Sequence, residues 1–354
     1  MDGHGRPAIL GVGTSLTPDR HPQEKLGRCF APNDPKSRRF FDHPHIHARH
    51  VQLPPVDPIS GHFKIETTGE LLAKHRKFSV RQSREAMDRA LADARVTIRE
   101  IDFLCCVTST GFTVPGLSAQ LIKEAGLRAN CQRIDIVGMG CNAGLNALNV
   151  TSAWCSANPG KRAVVVCAEI CSAIYAPGDT EQNAIVNSLF GDGIAAVVLS
   201  TTEPPCLAPR LLGFESHLIP EHSDSLRFDW DDVAHRFSFV VQKETPKVLA
   251  ENFPTPLRTI LSRHALTATD VKHWLVHSGG AAILDAIERK LDLPSESFRH
   301  TRSVLRDFGN VSSGSIFFTY DRLRREKTVR PGDFGVIATM GPGLTIELAI
   351  VKWE

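Results

Sequence analysis

Short runs of β-branched and aliphatic residues alternate with segments of helical period along the whole chain, the pattern of an α/β protein. In the first half, strands are predicted at 103–107, 133–137, 163–167 and 194–199. Between them, residues 117–125 and 145–154 carry the apolar spacing of amphipathic helices. Further on, a buried-looking strand is predicted at 274–276, followed by helices over 281–290 and 316–323. A proline-rich stretch at 204–209 follows a finished strand, so the boundary between an N-terminal half, 1–205, and a C-terminal half, 206–354, is placed there.

The second half replays the first. Val96-Thr97-Ile98-Arg99-Glu100-Ile101-Asp102-Phe103-Leu104 resembles Leu266-Thr267-Ala268-Thr269-Asp270-Val271-Lys272-His273-Trp274 at an offset of 170. Pro159-Gly160-Lys161-Arg162-Ala163-Val164-Val165-Val166 resembles Pro331-Gly332-Asp333-Phe334-Gly335-Val336-Ile337-Ala338 at an offset of 172. Two nearly constant offsets predict two similar half-domains. The period is far too long for a solenoid array.

Composition narrows the class. Lys and Arg total 41 against 39 Asp and Glu, a net charge of +2 that excludes a charge-driven nucleic-acid binder or an acidic tail. No stretch approaches the roughly 20 apolar residues of a membrane span. The first thirty residues offer only Ala8-Ile9-Leu10, too short for a signal peptide. Nine cysteines, an odd number set in apolar segments, fit a reducing cytoplasm better than a disulfide scaffold. A cytoplasmic enzyme is the expectation.

Three loops carry chemistry. Val137-Gly138-Met139-Gly140-Cys141-Asn142-Ala143-Gly144-Leu145 follows a strand and opens a helix, with glycines either side of one cysteine. Small residues permit a sharp turn, and unpaired N–H groups at a helix start favour thiolate over thiol. The alternative is a buried cysteine in a tight turn. A thiolate nucleophile needs a partner that takes its proton. His277 stands at a strand end before Ser278-Gly279-Gly280 and is the candidate, whereas His273 reads as structural. The third loop is Arg306-Asp307-Phe308-Gly309-Asn310-Val311-Ser312-Ser313-Gly314-Ser315. By the 170 offset Asn310 falls on Gly140, which would put Cys141 and Asn310 on equivalent strand-to-helix turns facing one cleft. Asn before Ser-Ser is also an ordinary N-cap. The cluster Asp42-His43-Pro44-His45-Ile46-His47-Ala48-Arg49-His50 lacks the spacing of a metal site and reads as a histidine-rich surface or entrance loop. Gly341 and Gly343 lack the lysine and spacing of a phosphate loop.

Together these loops resemble the Cys-His-Asn triad of type III polyketide synthases, a family with the thiolase fold. The resemblance rests on Gly140-Cys141-Asn142-Ala143-Gly144, Leu189-Phe190-Gly191-Asp192-Gly193 and His277-Ser278-Gly279-Gly280-Ala281-Ala282-Ile283-Leu284-Asp285. Gly309-Asn310-Val311-Ser312-Ser313 and Gly341-Pro342-Gly343-Leu344-Thr345-Ile346-Glu347 complete it. The five stand in the family's order and cover about residues 70–354. Residues 136–149 and 273–280 look more like a bacterial branch, the 3,5-dihydroxyphenylacetyl-CoA synthases of glycopeptide-antibiotic pathways, than the plant chalcone synthases. Chalcone-type enzymes have proline where this chain has Ser278, and Gly-Phe where it has Thr339-Met340.

The resemblance implies a five-layered αβαβα fold of two duplicated halves and a homodimer. It implies that Cys141 holds the growing acyl chain as a thioester and that His277 stabilises its thiolate as an ion pair. His277 and Asn310 would then donate to the thioester carbonyl of malonyl-CoA as decarboxylation leaves an enolate there. Phe190 and Phe239 match the family's paired gate phenylalanines. Ser312, Gly279, Gly341 and Gly343 fall in its substrate-binding motifs, and basic residues at Lys36, Arg38 and Arg39 would meet the coenzyme A phosphates. Trp230 stands where chalcone synthases carry a cavity glycine, and Ile174 where they carry a threonine. Coenzyme A thioesters serve as substrates, and no metal, flavin or nucleotide cofactor is called for.

The expected activity is iterative decarboxylative Claisen condensation of malonyl-CoA to a small resorcinol-type aromatic. A β-ketoacyl-carrier-protein synthase III uses the same three residue types, but the ending Gly-Pro-Gly-Leu-Thr-Ile-Glu argues against it. A non-catalytic scaffold of the same fold would lack a triad member, and a cysteine hydrolase would not decarboxylate malonyl-CoA.

Overall fold

The computed structural model describes residues 5–31, 34–42, 44–59, 63–175, 181–233 and 235–354. Strands β1 (Ala8–Ser15) and β2 (Arg20–Pro22), helices α1 (Gln23–Phe30) and α2 (Pro35–Arg38), and β3 (Ala48–His50) precede the long helix α3 (Thr68–Ala94). The first half continues with β4 (Ile101–Val107), α4 (Leu117–Ala125), β5 (Gln132–Ile136) and α5 (Ala143–Ala157). It ends with β6 (Arg162–Glu169), α6 (Glu181–Leu189) and β7 (Gly193–Ser200). The second half opens with β8 (Pro209–Leu218), the hairpin β9 (Leu226–Asp231) and β10 (Arg236–Val241), and helices α7 (Thr245–Asn252) and α8 (Pro254–Arg263). There follow β11 (Val271–Val276), α9 (Ala281–Lys290), α10 (Arg299–Phe308), α11 (Ser315–Glu326), β12 (Phe334–Gly341) and β13 (Thr345–Trp353).

One nine-stranded sheet runs in the order β11-β12-β13-β8-β1-β7-β6-β4-β5. Its two arms repeat. β1-β7-β6-β4 and β8-β13-β12-β11 share one sequence of pairings: antiparallel, antiparallel, parallel. The arms join where Ala8 of β1 pairs with Arg210 of β8. Local details repeat at the offsets seen in the sequence. Arg95 and Ala265 both take left-handed backbone, with φ of 56° and 54°. Thr97 N–H donates to Glu100 Oε2 at 2.8 Å, and Thr267 N–H to Asp270 Oδ2 at 2.7 Å, so each arm enters β4 or β11 through a capped turn.

Helices α5 and α11 lie between the arms. α5 packs on β4, β6 and β7 of one and on β12 and β13 of the other, while α11 packs on β1 and β7 and on β11 and β12. With α3 outside the first arm and α8 outside the second, five layers result. Strands sandwiched in this way are apolar throughout, and every residue of β7 is buried.

One expectation fails. No strand leads into Asn310; residues 299–308 form α10 instead, because Thr301, Val304 and Leu305 bury one face of a strongly amphipathic segment. The strand is reduced to a single parallel bridge between Asn310 and Phe190.

Candidate active site

Cys141 sits on a tight turn, Gly140–Asn142, between β5 and α5. Gly140 has a φ of 59°, and a Cβ there would lie 2.5 Å from the Pro342 ring, so only glycine lets the turn close on that loop. The cysteine is buried, with Sγ 3.6 Å from Ser312 Oγ. The Asn310 side chain also favours the charged form of the Cys141 sulfur. Asn310 Oδ1 meanwhile accepts the Ser312 N–H at 2.8 Å. Capping and donation are therefore not alternatives: the carbonyl end of the amide holds the turn, which leaves the NH2 end for donation.

His277 follows β11, its N–H donating to the Ala338 carbonyl at 2.8 Å. Its Nδ1 is engaged by the Ser315 hydroxyl at the start of α11, which leaves Nε2 for chemistry. A Cβ on Gly279 would come within 3.2 Å of that nitrogen, so the glycine keeps the space clear. His273 is structural: its Nε2 lies 2.9 Å from Asp333 Oδ2 and its ring meets Trp353 edge-on.

Burial dominates the electrostatics of the site. A helix start should favour the Cys141 thiolate, yet burial pushes the thiol up to about 12, against the Ser312 and Asn310 hydrogen bonds. Burial likewise pushes His277 down to about 3. Burial opposes the charged form of each group taken alone, so an ion pair between them would have to draw on their mutual attraction and on the Ser312 and Asn310 side chains. Glu169, at the end of β6, is pushed up to about 7 by burial, although it accepts from Ser109 N–H at 2.9 Å, the Thr110 hydroxyl at 3.0 Å and the Ser313 hydroxyl. Neither Glu169 nor Ser315 stood out in the sequence. The run of small hydroxyl residues after Asn310 was their only signal.

Free space at Cys141 is small, about 10 Å³, walled by Ser312, Pro342, Phe190 and Phe239 among others. The two phenylalanine rings meet edge-to-face at 5.4 Å. Beyond lies a cavity of about 480 Å³, and Ser109, Thr110, Ile174 and Phe228 border both spaces. Ile174 thus stands at the neck and Trp230 on the wall of the larger cavity, with 48% of the indole residue still exposed. Phe228 was not anticipated, although the aromatic alternation of 228 and 230 against 237 and 239 marks one face of the hairpin.

Gly341 borders the same turn, since a Cβ on it would meet Asn142 N at 2.9 Å, and Gly343 takes a φ of 77° just after Pro342. Lys36, Arg38 and Arg39 lie on or beside α2, which packs on α6. Arg38 pairs with Asp42 at 3.4 Å and Arg39 with Glu181 at 3.1 Å. In the histidine cluster His43 lies outside the described residues, and Arg49 is buried rather than on the surface. Among the described residues no helix is long and apolar enough to cross a membrane.

Two matched arms around two central helices, with a cysteine opening one of them, define the thiolase-fold class of acyl-transferring enzymes. Residues 61–206 match the model of FAE1/type III polyketide synthase-like proteins, and residues 215–353 that of the chalcone and stilbene synthase C-terminal domain. The chain is 47% identical to the 3,5-dihydroxyphenylacetyl-CoA synthase of Streptomyces toyocaensis, over 98% of this chain and 90% of that protein. It is 32% identical to the 1,3,6,8-tetrahydroxynaphthalene synthase of Streptomyces coelicolor, over 91% of this chain and 84% of that one. The crystal structure of 1,3,6,8-tetrahydroxynaphthalene synthase from Streptomyces coelicolor superposes with a TM-score of 0.89 at 29% identity, covering 98% of this chain and 99% of that one. The chain belongs to the type III polyketide synthase family, and is an enzyme of the acyltransferase class.

Proposed function

We propose that the enzyme condenses malonyl-CoA units on Cys141 and closes the chain to 3,5-dihydroxyphenylacetyl-CoA or a close relative. The observation that carries the chemistry is the Asn310 amide, held through its oxygen by Ser312 N–H at the turn whose Ser312 hydroxyl meets the Cys141 sulfur, and favouring that sulfur's charged form. His277 Nε2 takes the Cys141 proton as the acyl group arrives, with Nδ1 steadied by Ser315. The acyl group passes to sulfur and coenzyme A leaves. The next malonyl-CoA loses carbon dioxide, and its enolate oxygen is met by donors from His277 and Asn310. The enolate carbon attacks the Cys141 thioester, releasing the thiolate for the next round. Four malonyl units give a C8 chain that folds and aromatises in the larger cavity. The substrates are coenzyme A thioesters, and Lys36, Arg38 and Arg39 are taken as the positive charge that receives their phosphates.

The product rests on the 47% identity to a 3,5-dihydroxyphenylacetyl-CoA synthase. A homodimer is supported by the edge strand β5, next to which Ile134, Val137, Met139, Phe112 and Val114 are exposed. Nine free cysteines, seven of them buried, suit a reducing cytoplasm. The same reading takes 1–205 and 206–354 as two copies of one unit, supported by the matching order of the two arms.

Purified enzyme given malonyl-CoA alone, with products read by mass spectrometry, tests the reading. A C8 resorcinol-type product is expected, and none from Cys141→Ala. Turnover of malonyl-carrier protein but not malonyl-CoA would overturn it in favour of a synthase III. An acyl adduct mapped to Cys105, Cys106 or Cys171 would displace Cys141.

A further inference from the structure

The histidine-rich segment contains a fully buried charge near the site. Arg49, in β3, has 0% of its surface exposed. Its Nε donates to Gln23 Oε1 at 2.8 Å, and its Nη1 to the Tyr175 hydroxyl at 2.7 Å and to the Phe190 carbonyl. The Tyr175 hydroxyl donates to that same carbonyl. The amide of Gln23 donates onward to the Ser188 carbonyl at 2.7 Å. Three side chains from distant parts of the chain thus grip the end of α6 and the gate residue that follows it.

Phe190 is also the residue that bridges to Asn310. Asn310 N–H donates to the Leu189 carbonyl at 2.9 Å, and Gly191 N–H donates to the Asn310 carbonyl at 3.0 Å. Arg49 reaches the other side of the bridge as well. A Cβ on Gly309 would lie 2.7 Å from Arg49 Cδ, so the backbone before Asn310 rests directly on the arginine stem. A buried guanidinium is a poor way to gain stability, because desolvation opposes it and an apolar side chain of similar size would pack without that cost. What it supplies is a set of directed, forked donors.

We propose that Arg49 is a positioning residue for decarboxylation: its grip on the Phe190 carbonyl sets the Phe190–Asn310 bridge, and with it the aim of the Asn310 amide at Cys141. The inference rests on the proposed role of Asn310. Gate and donor then form one unit, so a displaced bridge misdirects the amide even though every atom that touches substrate is intact. A misplacement of about 1 Å at such a group costs on the order of 10² in rate.

The test uses Arg49→Lys and Tyr175→Phe, each alone and combined with Asn310→Ala, with carbon dioxide release from malonyl-CoA and thermal unfolding measured for all. Arg49→Lys is expected to lower kcat by about 10- to 100-fold while KM stays within about threefold. Tyr175→Phe should lower it less, since the arginine bond to Phe190 remains. In the Asn310→Ala background neither should slow release further, because the positioned group is gone. Normal kcat in a folded variant, or a multiplicative loss in the Asn310→Ala background, overturns the clamp. If Arg49→Lys does not fold, Tyr175→Phe decides on the same terms. Wild-type release by Asn310→Ala would overturn the role of Asn310 and the clamp with it, whereas a full Asn310 effect beside an additive Arg49 effect overturns the clamp alone.

Discussion

The Nδ1 of His277, at the end of one arm's strand, meets the Ser315 hydroxyl at the first turn of a central helix. This contact fixes the orientation of the imidazole ring. When Nδ1–H donates to the serine, Nε2 carries the lone pair that can accept the thiol proton. Ser315→Ala frees the ring to rotate or to adopt the other tautomer. Decarboxylation should fall about tenfold, with KM for malonyl-CoA little changed. Steady-state carbon dioxide release checks this, and an unchanged kcat would leave Ser315 a packing residue.

Two hydrogen bonds work against burial at Cys141. Both the Ser312 hydroxyl and the Asn310 amide favour the thiolate, so removing either should raise the thiol further. Ser312→Ala and Asn310→Ala should each slow alkylation of Cys141 by iodoacetamide at pH 7, by roughly three- to tenfold. Peptide mapping separates this cysteine from the others. Faster alkylation in either variant would mean that access rather than charge governs the rate.

Glu169 gives a pH dependence with a definite sign. Its carboxyl titrates near 4.5 ordinarily and is pushed up to about 7 by burial in the fold. Between those values the folded chain holds a proton that the unfolded chain has released. Its contribution is therefore complete below about 4.5 and is lost as pH rises through about 7, a change of ~3 kcal/mol. Glu169→Gln removes the loss, so the stability of the variant relative to wild type should climb over that range and then level. His75 and His277, lowered to about 4 and about 3, run the opposite way, as does no group created by the substitution, and their effect cancels in the difference. Urea unfolding of both proteins from pH 4.5 to 8 measures it. A difference independent of pH would show that Glu169 is ionised throughout.

Local chemistry made part of this legible. Helical period alone places α4 and α9 at the observed bounds, because both are amphipathic and stop at Gly126 or at the residue after Lys290. Cys141 and His277 were visible because their turns require small residues that the sequence shows directly. Arg49 was not, since an arginine among histidines reads as surface until the chain brings Phe190, 141 residues away, onto it. Glu169 was hidden for the same reason: its partner Ser313 is 144 residues distant. The repeat put Asn310 on the turn that also brings Ser312 to Cys141, but on a support other than the expected strand. The offset carried over the helix that follows it, whereas the residues before it follow their own amphipathic period into α10.

Trp230 tests how far the wall of the cavity sets the product. Its ring packs edge-to-face on Phe237 at 5.2 Å, and Phe228 continues the aromatic face toward Phe239 at 4.9 Å. The indole lines a cavity of about 480 Å³ while Ile174 stands at its neck toward Cys141. Chain length should then depend on both positions, for different reasons. Replacing an indole by hydrogen opens on the order of 100 Å³, so Trp230→Gly should admit a larger starter or allow further extension. Ile174→Thr changes little volume but widens and polarises the neck, and should alter how fast intermediates pass rather than how long they grow. Mass spectrometry of products from malonyl-CoA alone, and with an added aromatic acyl-CoA, separates the two. Longer or larger products from Trp230→Gly with an unchanged set from Ile174→Thr would assign size control to the indole. If the wild type accepts a coumaroyl-sized starter as readily as acetyl or malonyl, the indole does not limit the cavity, and its half-exposed face belongs to the surface instead.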